Sequence, residues 1–137
     1  MVINMKIENL DTSGDTFSYE NGVRAISIED GVSLVTAPID TKTANRWGKP
    51  HGGLLFTLAD VACGVLLTYT LQEATVTVST TIDFMATPAE DATELRANGR
   101  IEKRGGKMAF CSCVVRDDTG KLIARTTSTW MLTGQKL

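Results

Sequence analysis

The chain of 137 residues has one histidine, three prolines, three cysteines and only 6% aromatic residues. Each scarcity excludes something. Cys63, Cys111 and Cys113 are an odd number, which argues against the disulfide framework of a small secreted domain. The run CSC puts two thiols on one face of a strand, so all three read as buried structural cysteines. A lone histidine, His51, does not complete a ligand set with them, and no metal site is expected. A net charge of -2 with no long basic run leaves no footprint for nucleic acid. No apolar stretch is read as approaching the roughly 20 residues needed to span a bilayer. The opening MVINMKIENLDTSGD lacks the basic start, apolar core and small-residue cleavage site of a signal peptide. The expected location is therefore cytoplasmic, with neither a membrane nor a nucleic acid as partner.

What is present suffices for one domain with a real core, placed over residues 22–137. Residues 1–21 carry no readable element. Strands are expected in GVRAISIEDG and VSLVTAPID, joined at Asp30-Gly31, a strong hairpin signal. One helix is expected from about Gly52 to about Leu71. Four strands follow. In the first, ATVTVSTTIDFM, alternation puts Val76, Val78, Thr80, Ile82 and Phe84 on one face, and Pro88 closes it. TELRANGRIEKR and KMAFCSCVVRD are joined at Gly105-Gly106, and KLIARTTSTWML comes after the turn DDTG. The class is α+β.

The helix is apolar nearly all round and demands to be surrounded, which a curved antiparallel sheet can do. Its exceptions, Gly53, Thr57, Asp60, Gly64 and Thr68, recur at steps of three and four and share a face open to a close-approaching backbone. A carboxylate in such surroundings costs several kcal/mol unless paired, so folding alone would favour Leu or Ala at Asp60.

NRWGKPHGGLLFTLAD, then the helix, then TVSTTIDFMATPA, resembles the hotdog-fold acyl-CoA thioesterases of the phenylacetate-pathway (PaaI-like) group, over about Gly22 to Leu132. The resemblance implies a hotdog fold, an antiparallel β-sheet wrapped around one long central helix. It implies hydrolysis of an acyl- or aryl-CoA thioester to free acid and CoA. Coenzyme A is then part of the substrate, and no metal or bound cofactor is required. It also implies a homodimer with one continuous sheet, often paired again into a tetramer, with each active site built from both chains. By the same likeness Asn45 helps hold the attacking water and Thr77 lies near the carbonyl. CoA contacts would come from Ser79, Phe84 and the segment Lys103, Arg104, Gly105, Gly106, Lys107 and Met108. That segment is a basic hairpin suited to phosphates, or simply a solvated turn.

The chemistry of such hydrolysis needs an oxyanion donor and a group that activates water or attacks the carbonyl. Gly52 and Gly53 stand where helix amides are free and side chains absent, and Gly52 is the expected donor. Asp60 is the expected general base or nucleophile, its structural alternative being a pairing with a neighbour such as Thr57. Two turns, roughly 12 Å of helical rise, separate it from Gly52, which favours a site with the Asp supplied by the partner chain. His51 either positions the thioester or caps the helix; Asn45 and Thr77 are equally readable as turn and strand residues. Trp47 walls the site or packs nearby. The family's opening helix is not expected here, since LDTSGDTFSYENG disfavours helix. Rival readings are a non-catalytic acyl-CoA-binding module, a purely structural oligomer and a dehydratase of the same fold.

Overall fold

The computed structural model describes residues 5–6 and 14–137. Strands β1 (Met5–Lys6), β2 (Arg24–Glu29), β3 (Val32–Pro38), β4 (Glu73–Phe84), β5 (Glu94–Arg104), β6 (Met108–Asp117) and β7 (Leu122–Lys136) form one antiparallel sheet. Their spatial order is β1-β2-β3-β5-β6-β7-β4. Two helices complete the fold, α1 (Thr16–Glu20) and α2 (Gly52–Leu71). The β2–β3 turn is the expected one: Asp30 at φ 51 and Gly31 at φ 75 both adopt the left-handed conformation that matches the strands' twist.

Helix α2 begins and ends where the sequence indicates. His51 caps its start, and Gln72, at φ 55, stops it by leaving the helical region. Its apolar length needs a correction to the membrane reading. At 20 residues and a mean hydropathy of 1.8, Gly52–Leu71 is long and apolar enough to cross a bilayer. It is instead the core helix. Leu58, Ala62, Leu66 and Leu67 are buried, with Leu58, Ala62 and Leu67 packed in one cluster with Val35, Leu95, Ala97, Val115 and Ile123 of the sheet. The sheet leaves the other side of the helix open, and Phe56 is 37% exposed. Close contact is made at Gly99 of β5, where any Cβ would stand 2.8 Å from the Ala62 carbonyl oxygen. Ser33 Oγ on β3 donates to that same oxygen at 2.7 Å and accepts from Gly99 N at 3.1 Å. On the small-residue face the neighbour of Gly64 is not backbone, as expected, but the Trp130 ring, 3.0 Å from a built Cβ.

Two further expectations are overturned. The pairing of β4 with β7 shifts register between Thr77 and Ser79, so the strand changes the face it presents. Val76 and Val78 are 48% and 55% exposed, whereas Ile82 packs on the core and Phe84 lies over Gly52. These residues therefore do not share one face. Secondly, a helix does precede the core. Asp15 Oδ1 accepts from Ser18 N at 3.2 Å and starts α1, which the sequence composition did not suggest.

Candidate active site

Asp60 and Thr77 face each other across the α2–β4 interface, where the Thr77 hydroxyl donates to Asp60 Oδ1 at 2.7 Å. Thr57, the alternative partner, donates to the Gly53 carbonyl at 2.7 Å instead. Asp60 Oδ2 has no hydrogen-bond partner among the described residues, and the carboxylate lines a cavity of about 500 Å³. Burial pushes its pKa above the usual carboxylate range; the Thr77 bond opposes that push and the charge of Asp15 adds to it. Trp130 and Tyr69 line the cavity too, as do Asp15, Ser18 and Tyr19 of α1. Sequence reasoning missed these residues. The one available signal was Asp15, a residue type that caps helix starts, immediately before Thr16.

Gly52 and Gly53 lie at the other end of the same helix. His51 Nδ1 accepts from Gly53 N at 2.8 Å, so this nitrogen carries no proton and the histidine is the helix cap. Gly52 N, at the first helical position, has no acceptor among the described residues. A Cβ on Gly52 would meet Phe84 Cζ at 3.2 Å. Gly52, Phe84 and Asn45 line a second cavity, of about 380 Å³; His51 and Gly53 line a third, of about 300 Å³. Within one chain, therefore, Gly52 and Asp60 open into different cavities.

Asn45 shapes the loop before α2. Its Oδ1 accepts from Trp47 N at 2.9 Å and Lys49 N at 3.1 Å, while its Nδ2 makes no bond among the described residues. Trp47 is 77% exposed and lines none of these three cavities. Ser79 stands on the opposite face of β4 from Thr77, beside Phe110 and Thr129, and not with Phe84. The Lys103–Met108 hairpin projects from the sheet at the level of Thr77: Thr77 pairs with Trp130, Trp130 with Ala109, and Ala109 with Arg104. Three strand spacings, roughly 14 Å, separate the hairpin from Thr77. Gly105 N donates to the Met108 carbonyl at 2.7 Å, which leaves the Gly106 amide, and not both glycine amides, for an outside acceptor. Cys63 lies between Cys111 and Cys113, its Sγ 3.6 Å from the Ser112 carbonyl, and all three thiols are buried. Hydrogen bonding to Cys63, with burial, pushes the Cys111 and Cys113 thiols up, so both stay protonated and inert.

Comparison with known proteins bears on what this arrangement does. The chain matches the thioesterase superfamily over residues 48–124, a span that contains His51, both glycines, Asp60 and Thr77. It is 34% identical over 105 residues to the candidate esterase PA0474 of Pseudomonas aeruginosa, covering 75% of this chain and 72% of that protein. The PaaI protein of the E. coli phenylacetic acid degradation operon shares the fold, with a TM-score of 0.82, 23% identity, and 90% and 88% of the two chains covered. A hypothetical thioesterase of Streptococcus pneumoniae TIGR4, solved with coenzyme A, has a TM-score of 0.74 and 26% identity, with 84% and 91% covered. That protein has also been solved with a single threonine, and with a single aspartate, changed to alanine. Together these matches show that the chain belongs to the thioesterase superfamily, thioester hydrolases of the hotdog fold.

Proposed function

We propose that this thioesterase hydrolyses an acyl- or aryl-CoA thioester to the free acid and coenzyme A, at sites shared between two chains. One observation carries the reading: on a single chain Asp60 and Gly52 open into separate cavities, so a site using both needs a second copy. The Gly52 amide, at the positive end of α2, receives the carbonyl oxygen as it gains charge. The partner's Asp60 either takes a proton from the attacking water or attacks the carbonyl carbon itself. Attack by water breaks the carbon–sulfur bond and gives the acid directly; attack by Asp60 breaks it to leave a mixed anhydride, which a water molecule then hydrolyses, and on either route the thiolate of coenzyme A picks up a proton. The Thr77 hydroxyl fixes the carboxylate with the free Oδ2 toward the substrate. His51, by holding the Gly53 amide, leaves Gly52 as the donor. The free Nδ2 of Asn45 is available to the water in the Gly52 cavity. Lys103, Arg104 and Lys107, with the Gly106 amide, meet the phosphates of coenzyme A; Ser79 and Met108 border them. No metal or bound cofactor is needed, because coenzyme A arrives with the substrate.

The assembly is a homodimer joined through β4. This strand is 12 residues long, pairs only with β7 among the described residues, and exposes Val76 and Val78. An edge of that length and character invites a second strand. A dimer of dimers follows the family resemblance. Three buried thiols and no disulfide suit a reducing compartment, the cytoplasm.

The deciding experiment mixes Asp60→Asn chains with Gly52→Ala chains, each inactive alone. Sites that draw the two residues from opposite chains regain partial activity, because some carry neither lesion. No recovery despite proven chain exchange overturns the shared site.

A further inference from the structure

We propose that Tyr19 is the residue that sets which acyl groups the Asp60 cavity accepts, and that Arg24 is the positioning residue that holds it there. The proposal rests on the role proposed for Asp60, and takes the acyl group into the cavity that its carboxylate lines.

Helix α1 stands between two of the three cavities on α2. Asp15, Ser18 and Tyr19 face the Asp60 cavity, and Phe17 and Asn21 face the His51–Gly53 cavity. A helix of five residues is too short to be stable alone, so its place depends on what fastens it. The fastening is specific. Val23 N donates to the Ser18 carbonyl at 2.9 Å, closing the turn through Gly22 at φ 78. Arg24, on β2, then reaches back: one guanidinium nitrogen, Nη1, donates to the Tyr19 carbonyl at 2.9 Å and to the Val23 carbonyl at 3.0 Å. The same guanidinium lies 3.8 Å from the centre of the Tyr19 ring. Planar stacking and directed bonds together are something arginine offers and lysine does not.

Tyr19 is 48% exposed although it lines the cavity, so its ring forms the rim between the inside and solvent. Its hydroxyl has no hydrogen bond among the described residues, which leaves the guanidinium as the contact that fixes the ring. A second aromatic lining residue, Trp130, is anchored differently. Its Nε1 donates to Ser128 Oγ at 2.8 Å, and the residue is buried. Of these two aromatic walls, Tyr19 is the one at the rim, held through Arg24 rather than by a bond of its own ring. A ring held inward excludes long or bulky acyl groups; a ring released or removed admits them.

The test uses the full chain, a panel of acyl-CoAs graded in length and bulk, and kcat/KM for each. Tyr19→Ala is expected to shift the ratio of bulky to small substrates about tenfold or more, the scale of a lost wall contact in a binding pocket. Tyr19→Phe keeps the ring and the original ratio. Arg24→Met shifts the ratio the same way through KM, with kcat unchanged, and Arg24→Lys restores it only in part. In the Tyr19→Ala background Arg24→Met has no further effect, because it acts through the ring. An equal fall on every substrate with Tyr19→Ala, or fully additive effects of the two changes, overturns the proposal. Asp60→Asn in the same assay reads the underlying reaction: full activity in that variant sinks the cavity assignment itself. Binding of non-hydrolysable thioether acyl-CoAs gives a second reading of selectivity as Kd, and an unchanged Kd ratio in Tyr19→Ala also overturns the role.

Discussion

At Asp60 two forces act against each other. Burial among the apolar residues of α2 raises the carboxyl's pKa, and the Thr77 hydroxyl, bonded to Oδ1, lowers it. Replacement by Asn is expected to cut kcat at least ~100-fold, the scale for loss of a general base, with KM little changed. The acid limb of the rate profile should lie above the ordinary carboxylate range, since the ionised form does the work. Thr77→Val removes the bond that favours ionisation and should move that limb to still higher pH; a pH series of kcat/KM decides this. Stability runs the opposite way. A folded pKa above the unfolded one means the folded state holds the proton more tightly, so stability is present below the unfolded value and is lost as pH rises through the folded one. Asp60→Asn should therefore melt higher than the native chain at neutral pH, with the gain vanishing in acid. A difference in Tm that does not change with pH would contradict this account. His51 is separable in the same way: His51→Ala loses the cap at a cost of about 1 kcal/mol, while His51→Asn keeps the cap and most of kcat. A large loss of kcat in the capped variant would give the imidazole a direct role.

A few groups outside the site fasten the elements to one another. The β6–β7 turn is built round Asp117, which is buried and accepts from Thr119 Oγ1 at 2.6 Å, Ala89 N at 2.9 Å, Thr119 N at 2.9 Å and Lys121 N at 3.0 Å. Burial pushes this carboxyl up, but the Thr119 hydroxyl and those amides outweigh it and hold the pKa at about 2. A depressed folded value contributes stability above the ordinary carboxylate range that is lost as pH falls toward about 2. Asp117→Asn should lower Tm at neutral pH and flatten the acid side of the stability profile. An acid profile like that of the native chain would mean the turn is held by something else. The α2–β5 contact has a comparable point of failure at Gly99. A methyl there would strike the Ala62 carbonyl oxygen and Ser33 Oγ, neither the end of a flexible chain. Gly99→Ala is expected to cost about 1–3 kcal/mol in denaturant melts, the usual range for overpacking.

For the molecule as a whole the open side of α2 and the free edge of β4 pose one question: what covers them? If a second copy does, light scattering reports a dimer or tetramer at assay concentration. A Val78→Lys change, at an exposed position of the edge strand's register break, should then weaken assembly and activity together. A fully active monomer would contradict the shared site. Exposed Phe110 and Met131, on the outer face of the sheet, mark where a further pairing of dimers could bury apolar surface.

Much of this was legible in the residues alone, for reasons that are local. The limits of α2, the Asp30-Gly31 turn and the later strands follow from side-chain period, caps and backbone preference within a few residues, and the order NRWGKPHGG–helix–TVSTTIDFM points to the family. Asp60 stood out because a charge in an apolar helix needs a reason. Its partner did not stand out. Thr57 is its neighbour by helical spacing, yet Thr77 makes the bond, because only the packing of β4 on α2 brings 17 residues of separation down to 2.7 Å. The face change in β4 was hidden for the same reason: a register shift belongs to two strands, and alternation read along one strand cannot show it. Helix α1 depends on Arg24 and the turn at Gly22 more than on its own composition, so propensity ruled out what tertiary contact sustains. Chain-local preferences set where elements begin and end; which side chains meet was decided by packing between elements far apart in sequence.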